Sequence, residues 1–192
     1  MVLAISGKCC SGKNYITNFF EENKFISIDV DNISKQVFSS LTLEIIKIFG
    51  ADIIANGNID RKRVGEIIFS NKQKRVELEE LLHPKIYNEI FSIISNREND
   101  YIINIPLLTN RDLIERCNAV IWIKSPLFLR IFRALKRDSY KLISIFSRII
   151  AQRKLSVKYF KGSVDIYYIR NGWSSRLLKK DLKFVLNRVQ RG

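Results

Sequence analysis

Two glycines and a lysine near the start of the chain have the spacing of a phosphate-binding loop. Gly12 follows Gly7 by five positions, and Lys13 comes directly after it. Glycines allow backbone conformations that turn successive N–H groups toward an anion, and the lysine reaches the outer phosphates. The apolar run before Gly7 predicts a strand, and the pattern after Lys13 predicts a helix whose N-terminal end favours anions. The segment therefore predicts a nucleotide phosphate site. The alternative is an ordinary strand-to-helix turn that contains glycine.

The residue after the lysine is the position that binds the metal ion in the usual motif. In the usual motif this residue is a Ser or Thr whose hydroxyl binds Mg²⁺, but this chain has Asn14. An amide oxygen can coordinate the ion or hold a metal-bound water, although it fits the tight turn less well. We therefore expect Asn14 to be a poorer metal ligand than a hydroxyl.

Two carboxylates lie at the end of the second predicted strand, which covers residues 25–29. Asp29 ends that strand and Asp31 comes two positions later. In open α/β sheets the catalytic groups lie just beyond the C-terminal ends of the strands, so Asp31 is a candidate catalytic residue. The alternatives are a helix N-cap for Asp31 and a solvated strand end for Asp29.

The hydrophobic pattern predicts an α/β fold with a parallel sheet flanked by helices. Strands are predicted over 2–6, 25–29, 101–105, 119–123 and 164–169. Helices are predicted over 13–22, 32–49, 61–69, 72–96 and 125–152, with turns at 56–58 and 171–172 and a last helix ending near 189. No repeat or long linker divides the chain, so residues 1–192 are predicted to form a single domain. The consecutive helices between about 30 and 100 form a subdomain within it.

Composition limits the class of protein. The 192 residues suffice for a full core, and no apolar stretch approaches the roughly 20 residues that cross a bilayer. The start of the chain lacks a signal-peptide pattern, so we expect a cytoplasmic protein without a membrane partner. Cys9, Cys10 and Cys117 form no disulfide framework, and adjacent cysteines are poorly placed to pair. With a single histidine, there is little material for a zinc site or a serine hydrolase triad.

The net charge of +14 attracts polyanions or anionic small substrates. The basic residues are spread along the chain, with clusters at 61–63, 130–137 and 179–180, rather than gathered in a nucleic-acid motif. We interpret most of them as solvated surface and expect no specific nucleic-acid partner. Compositional bias of the coding genome is an equally good explanation of the charge.

Seven motifs in chain order make the sequence similar to the dephospho-CoA kinase family over nearly its full length. Their positions are 7–14, 29–31, 49–69 (three short stretches counted as one motif), 78–86 with His83-Pro84, 105–110, 148–152 and 170–172. The resemblance implies a P-loop kinase with a parallel sheet, a helical acceptor-binding region at about 30–100 and a lid at about 125–152. It implies transfer of the γ-phosphoryl group of ATP to the ribose 3′-hydroxyl of dephospho-CoA, with Mg²⁺ as cofactor. We expect a monomer or weak homo-oligomer.

The resemblance also implies roles for single residues. Asp31 would orient, and deprotonate, the acceptor hydroxyl, and Asn14 and Asp29 would contact the metal ion. The residues implied to act in phosphoryl transfer are Lys13, Asp31, Arg137 and Arg148, with Arg133 as a further lid arginine. The residues implied to bind ATP are Gly7, Cys10, Ser11, Gly12, Lys13, Asn14, Tyr15, Asn171 and Gly172. The residues implied to bind the acceptor are Asp31, Arg61, His83 and Pro106.

Several of these residues have simpler interpretations. His83 before a proline is often a packed or capping residue, Arg61 lies in a charged run, and the Asn171-Gly172 pair is a common turn. The arginines of the lid segment equally suit an exposed basic helix face.

The chain departs from the family pattern at Asn14, Asn104 and Asn110, and each change removes a metal or substrate contact. Three alternatives therefore remain: another P-loop small-molecule kinase, a degenerate nucleotide binder, and a basic P-loop protein that binds nucleic acid.

Overall fold

The chain forms a five-stranded parallel sheet with connecting helices in a computed structural model, which describes residues 1–105, 110–137, 149, 152 and 164–190. The strands are β1 (Val2–Gly7), β2 (Phe25–Asp29), β3 (Ile54–Ala55), β4 (Asn58–Ile59), β5 (Asp100–Asn104), β6 (Ala119–Lys124) and β7 (Asp165–Arg170). The sheet order is β2-β5-β1-β6-β7, and every neighbouring pair is parallel. The predicted fold class is confirmed.

Helices connect these strands, as parallel pairing requires. They are α1 (Lys13–Glu21), α2 (Val30–Ser40), α3 (Thr42–Phe49), α4 (Arg61–Ser70), α5 (Lys72–Ile94), α6 (Arg111–Glu115), α7 (Leu127–Arg137) and α8 (Ser175–Val189), with a 3₁₀ turn at Ala51–Ile53. Within the described part of the chain, none of these helices has the length and apolar character needed to span a membrane.

The chain divides into two compact units, which we call the sheet unit and the helical unit. The sheet unit contains Met1–Asp29 and Asn96–Gly192, and the helical unit contains Val30–Ser95. In the sheet unit, β1 and β6 are buried along nearly their whole length, as central parallel strands are. Their apolar side chains pack with Phe20 of α1 and Leu182 of α8 in one core. This core fixes the edge of the sheet from which the loop after β1 emerges.

The helical unit has its own apolar core, built around Ile45 and Ile53, which are fully buried. Strands β3 and β4 form a two-residue hairpin next to this core, and the turn residues Asn56 and Gly57 both have positive φ angles, of 50° and 76°. Two consecutive left-handed residues are the signature of a tight hairpin turn, which explains the Asn-Gly pair. The turn was predicted from the sequence, whereas its flanking strands were too short to detect.

Two helical regions also differ from the sequence predictions. The helix predicted over 32–49 begins at Val30 and is interrupted at Leu41. The hydroxyls of Ser39, Ser40 and Thr42 donate to backbone carbonyls there and compete with helical pairing. Helix α6 was not predicted, because five residues are too few to display helical periodicity. Of the helix predicted over 125–152, residues 125–137, 149 and 152 lie within the described part, and α7 covers Leu127–Arg137.

Candidate functional site

The loop between β1 and α1 has the backbone of an anion-binding cradle. Cys10 and Gly12 lie in the left-handed region, with φ angles of 58° and 95°, and Gly12 is the N-cap of α1. The N–H of Ser11 donates to the carbonyl of Lys8 at 3.1 Å and closes the loop. Left-handed residues at alternate positions turn backbone N–H groups toward one side of the loop. The N-terminus of α1 adds positive potential there. The loop therefore suits the phosphates of a nucleotide.

Both glycines of the loop are required by their surroundings. A Cβ atom on Gly7 would lie 2.9 Å from the Ser11 Oγ and 3.0 Å from the Ile123 carbonyl oxygen. A Cβ atom on Gly12 would lie 2.0 Å from the Asn171 Nδ2. The spacing of the glycines therefore reflects close packing of the loop against β6 and against the chain after β7.

Lys13 spans the loop. Its Nζ donates to the carbonyl of Gly7 at 3.0 Å, so the ammonium group lies across the loop from the first helical turn. The side chain is half-buried. A phosphoryl group held by the loop N–H groups would lie within reach of this charge.

Arg130 packs against the loop and is an exception to the prediction that most of the basic residues are solvated. Its side chain is 5% exposed, and its Nε donates to the Cys9 carbonyl at 2.8 Å. Its Nη2 has no hydrogen-bond partner among the described residues, and burial lowers the pKa of its guanidinium. The N–H of Cys9 donates to the Gln152 Oε1. Helical periodicity places Arg130 with Arg133 and Lys136 on the basic face of α7, so no local signal distinguished it from a solvated arginine.

Asn171 and Arg133 tie the chain after β7 to the loop. The buried Asn171 donates from Nδ2 to the Ser11 carbonyl at 2.8 Å. Arg133 donates from Nη2 to the Asn171 Oδ1 at 3.0 Å and to the Gly172 carbonyl at 3.3 Å, and from Nη1 to the Ser125 Oγ at 3.0 Å. Asn171 is thus more than a plain turn residue, because its amide links the loop to Arg133.

Asn14 and Asp29 line one polar cleft of about 170 Å³ at the carboxyl ends of β2 and β5. Asn104 lines it as well and donates from Nδ2 to the Asn14 Oδ1 at 3.4 Å. Two of the departures from the family pattern therefore contact each other. Mg²⁺ prefers oxygen ligands and usually keeps several waters, so an amide oxygen and a carboxylate fit it as a partial site. Among the described residues, no cluster of three or more His, Cys, Asp or Glu could hold a metal ion without further ligands.

The predicted acceptor residues of the helical unit lie on its helices. Asp31 is exposed and is the second residue of α2, so it lies in the first helical turn and is not the N-cap. Arg61 donates from Nη2 to the Lys35 carbonyl and the Ser39 Oγ, both at 2.8 Å, and stacks on the ring of Phe38. Arg61 therefore anchors α4 to α2, whatever else it binds.

His83 is exposed on α5, and the helix continues through Pro84. The packed histidine at a helix break, considered as an alternative, is wrong. Asn110 accepts from the N–H of Leu113 at 2.8 Å and so caps α6. Tyr15 is 45% exposed at the start of α1. Pro106, Arg148 and the side chain of Arg137 lie outside the described residues.

Comparison with known proteins identifies the family. The sequence model of the dephospho-CoA kinase family matches residues 1–166. The dephospho-CoA kinase of Treponema denticola is 31% identical over 194 aligned residues, covering 95% of this chain and 87% of that protein. A solved dephospho-CoA kinase from Campylobacter jejuni is 26% identical, with a TM-score of 0.71 over 100% of this chain and 98% of that one. Shikimate kinase from Acinetobacter baumannii, at 13% identity and a TM-score of 0.54, covers 99% of this chain and 93% of that one and shares the fold alone. The chain belongs to the dephospho-CoA kinase family, the kinases of the final step of coenzyme A biosynthesis.

Proposed function

We propose that this chain transfers the γ-phosphoryl group of ATP to the ribose 3′-hydroxyl of dephospho-CoA, giving CoA and ADP. The observation that carries the proposal is the loop after β1, with its left-handed Cys10 and Gly12 and with Lys13 across it, in a chain of this family. The shikimate-type alternative is less well supported, since that likeness is limited to the fold.

The roles follow from the chemistry of each group. The loop N–H groups and Lys13 bind the outer phosphates and hold the γ-phosphoryl group for in-line attack. Asp31 orients the acceptor hydroxyl and accepts its proton. Arg137 and Arg148 offset the charge on the transferred group, while Arg61, His83 and Pro106 contact the acceptor. Asn171 and Gly172 shape the nucleotide side of the loop.

Mg²⁺ is the metal that we propose for the cleft lined by Asn14 and Asp29. When bound, it offsets the charge of the phosphate oxygens as they move toward the transition state. Asn14 and Asp29 would supply two of its ligands, and waters and nucleotide phosphates would supply the others.

An ADP-release assay with dephospho-CoA, adenosine and shikimate in parallel tests the substrate. With ATP present, we expect ADP release only when dephospho-CoA is the acceptor. The proposal would be overturned if only shikimate or adenosine were phosphorylated, or if ATP bound without phosphoryl transfer to any of the three.

Two variants with matched controls test the roles. Lys13→Ala should lower kcat/KM by on the order of 10²–10³, because a charge that stabilises the transition state is lost. Asp31→Asn should lower kcat by about 10²–10⁴ with a smaller change in KM for dephospho-CoA. Lys47→Ala and Asp52→Asn change exposed residues of the helical unit and should leave the rates unchanged. A change in KM alone for Asp31→Asn would limit Asp31 to binding.

A further inference from the structure

Cys9 and Cys10 form a pair of thiols within the phosphate loop. Their Sγ atoms lie 3.6 Å apart, and both side chains are partly exposed. The usual loop motif leaves the residue types at these positions unspecified. The third cysteine, Cys117, is buried, and its thiol donates to the Leu113 carbonyl.

The two thiols are in hydrogen-bond contact, and their sulfur separation is also close to the bite of a chelated metal ion. A tetrahedral ion with metal–sulfur bonds of about 2.3 Å holds two thiolates about 3.8 Å apart. A linear two-coordinate ion would require roughly 4.6 Å on the same bond length. A disulfide would require about 2.05 Å, and adjacent residues, about 3.8 Å apart at Cα, fall below the usual range for a disulfide. The pair is therefore better placed to chelate a tetrahedral soft ion than to oxidise to a disulfide.

Cationic side chains lie beside the loop segment that carries the pair. The guanidinium of Arg130 is held against the Cys9 carbonyl at 2.8 Å. The ammonium of Lys13 lies across the loop, on the Gly7 carbonyl, and Lys8 precedes the pair. Two thiolates also neutralise a divalent ion, so the bound pair adds no net charge to this basic loop.

Within the described part of the chain, no third His, Cys, Asp or Glu joins the pair. The described residues therefore supply two protein ligands, fewer than the four of a closed structural site. The pair is also chemically distinct from the cleft of Asn14 and Asp29, where the donors are oxygen atoms that suit a hard cation.

We propose that Cys9 and Cys10 chelate one soft divalent cation of the Zn²⁺ class, and that the bound ion excludes nucleotide phosphates from the loop. The site goes beyond the proposed kinase activity. Because Cys10 supplies one of the left-handed backbone positions of the cradle, an ion on its sulfur constrains the segment that must wrap around the phosphates.

Titration of the full chain, reduced with a phosphine, with Cd²⁺ tests binding. Cd²⁺ is the probe because its thiolate bonds give an ultraviolet charge-transfer band, and Zn²⁺ is then added to displace it. The variants Cys9→Ser, Cys10→Ser and Cys117→Ser each keep two of the three cysteines and are matched controls for one another. We expect a single Cd²⁺ per chain, a loss of affinity of more than about tenfold in the first two variants, and unchanged affinity in Cys117→Ser. Absence of the band, or a band that survives in Cys9→Ser or Cys10→Ser, would overturn the proposal.

Calorimetric titration with ATP, with and without one equivalent of Zn²⁺, tests exclusion of the nucleotide. Zn²⁺ should weaken ATP binding in the unsubstituted chain and in Cys117→Ser. Because ATP itself binds Zn²⁺, Cys9→Ser under the same conditions gives the background, with Cys10→Ala as a second variant if Cys9→Ser does not fold. An equal effect of Zn²⁺ in all variants would overturn the exclusion. A chain that binds no ATP without Zn²⁺ would contradict the proposed function, while the Cd²⁺ band would still decide the metal site.

Discussion

Asn171 serves the phosphate loop from 160 positions away in the chain. Its amide faces two partners with opposite requirements, since Nδ2 donates to the Ser11 carbonyl and Oδ1 accepts from Arg133. The buried side chain therefore needs both halves of the amide. This division allows the two contacts to be removed separately.

Asn171→Asp should weaken ATP binding while preserving the contact with Arg133. The carboxylate still accepts from the guanidinium, but it faces the Ser11 carbonyl without a proton to donate, at a cost of about 1–3 kcal/mol. We expect the KM for ATP to rise by about tenfold, with a smaller change in kcat. Asn110→Asp is the matched control, because aspartate is an equally good helix cap. Steady-state kinetics with varied ATP measure both, and an unchanged KM for ATP would limit the Asn171 amide to folding.

Asn14→Ser should lower the concentration of free Mg²⁺ needed for half-maximal rate. The Asn14 Oδ1 accepts from Asn104, and a serine hydroxyl suits the tight turn better as a metal ligand. A Mg²⁺ titration at fixed ATP measures the shift, and binding of Mn²⁺ to the ATP complex gives a second readout. Asn18→Ser, on the same cleft, is the control. An unchanged Mg²⁺ requirement would mean that Asn14 is a full substitute for the hydroxyl.

At the scale of elements, the start of α1 and the β3–β4 hairpin each depend on a glycine with positive φ. Gly12, with φ of 95°, packs against Asn171, whereas a Cβ atom on Gly57, with φ of 76°, would meet nothing within 4 Å. Gly57→Ala therefore isolates the backbone cost, which is about 1–2 kcal/mol. Gly12→Ala adds a clash with the Asn171 amide.

We expect Gly12→Ala to lose clearly more unfolding free energy than Gly57→Ala, in addition to losing ATP affinity. Denaturant titration followed by circular dichroism measures the first quantity, and calorimetry with ATP measures the second. Equal destabilisation by the two substitutions would contradict the tight packing between the loop and Asn171.

Cys117, two residues after the end of α6, makes the unfolding free energy depend on pH in the alkaline range. Burial raises the pKa of its thiol to about 12, so the folded chain keeps the proton at pH values where the unfolded thiol, with a pKa near 8.5, has lost it. The contribution of the protonated Cys117 thiol to the unfolding free energy is fully present below about pH 8.5. It is lost as the pH rises toward 12, by up to about 1.4 kcal/mol per pH unit. Cys117→Ser keeps a hydroxyl donor for Leu113 but does not ionise, so its unfolding free energy should fall less steeply over this range. Parallel slopes for the two proteins would contradict the shift.

At the scale of the whole molecule, the charge of +14 is large for a protein that acts on small anions. If the charge draws ATP and dephospho-CoA to the protein, kcat/KM should fall as salt screens the field, while kcat changes little. Rates between low and physiological ionic strength, at constant free Mg²⁺, measure this. A kcat/KM that does not depend on salt would favour compositional bias as the source of the charge.

The local patterns of the sequence predicted most of the fold. Buried apolar runs marked the five sheet strands, helical periodicity marked most of the longer helices, and the spacing of Gly7, Gly12 and Lys13 marked the loop. These features depend on residues a few positions apart, so one sequence contains them. The two-residue strands β3 and β4 and the five-residue helix α6 escaped because each is too short to show its own period.

The tertiary structure alone decided which distant residues support the loop. Because β1 lies between β5 and β6, the loop after β1 meets α7 and the chain after β7. Arg130, 121 positions from Cys9, is therefore buried against the loop. Asn171 donates a hydrogen bond to the Ser11 carbonyl. A charged residue in a basic run and an Asn-Gly pair have common surface roles, and nothing local distinguishes those roles from support of a buried loop. The sequence by itself determined the chemistry at the end of β1, and the strand order determined the side chains that hold it in shape.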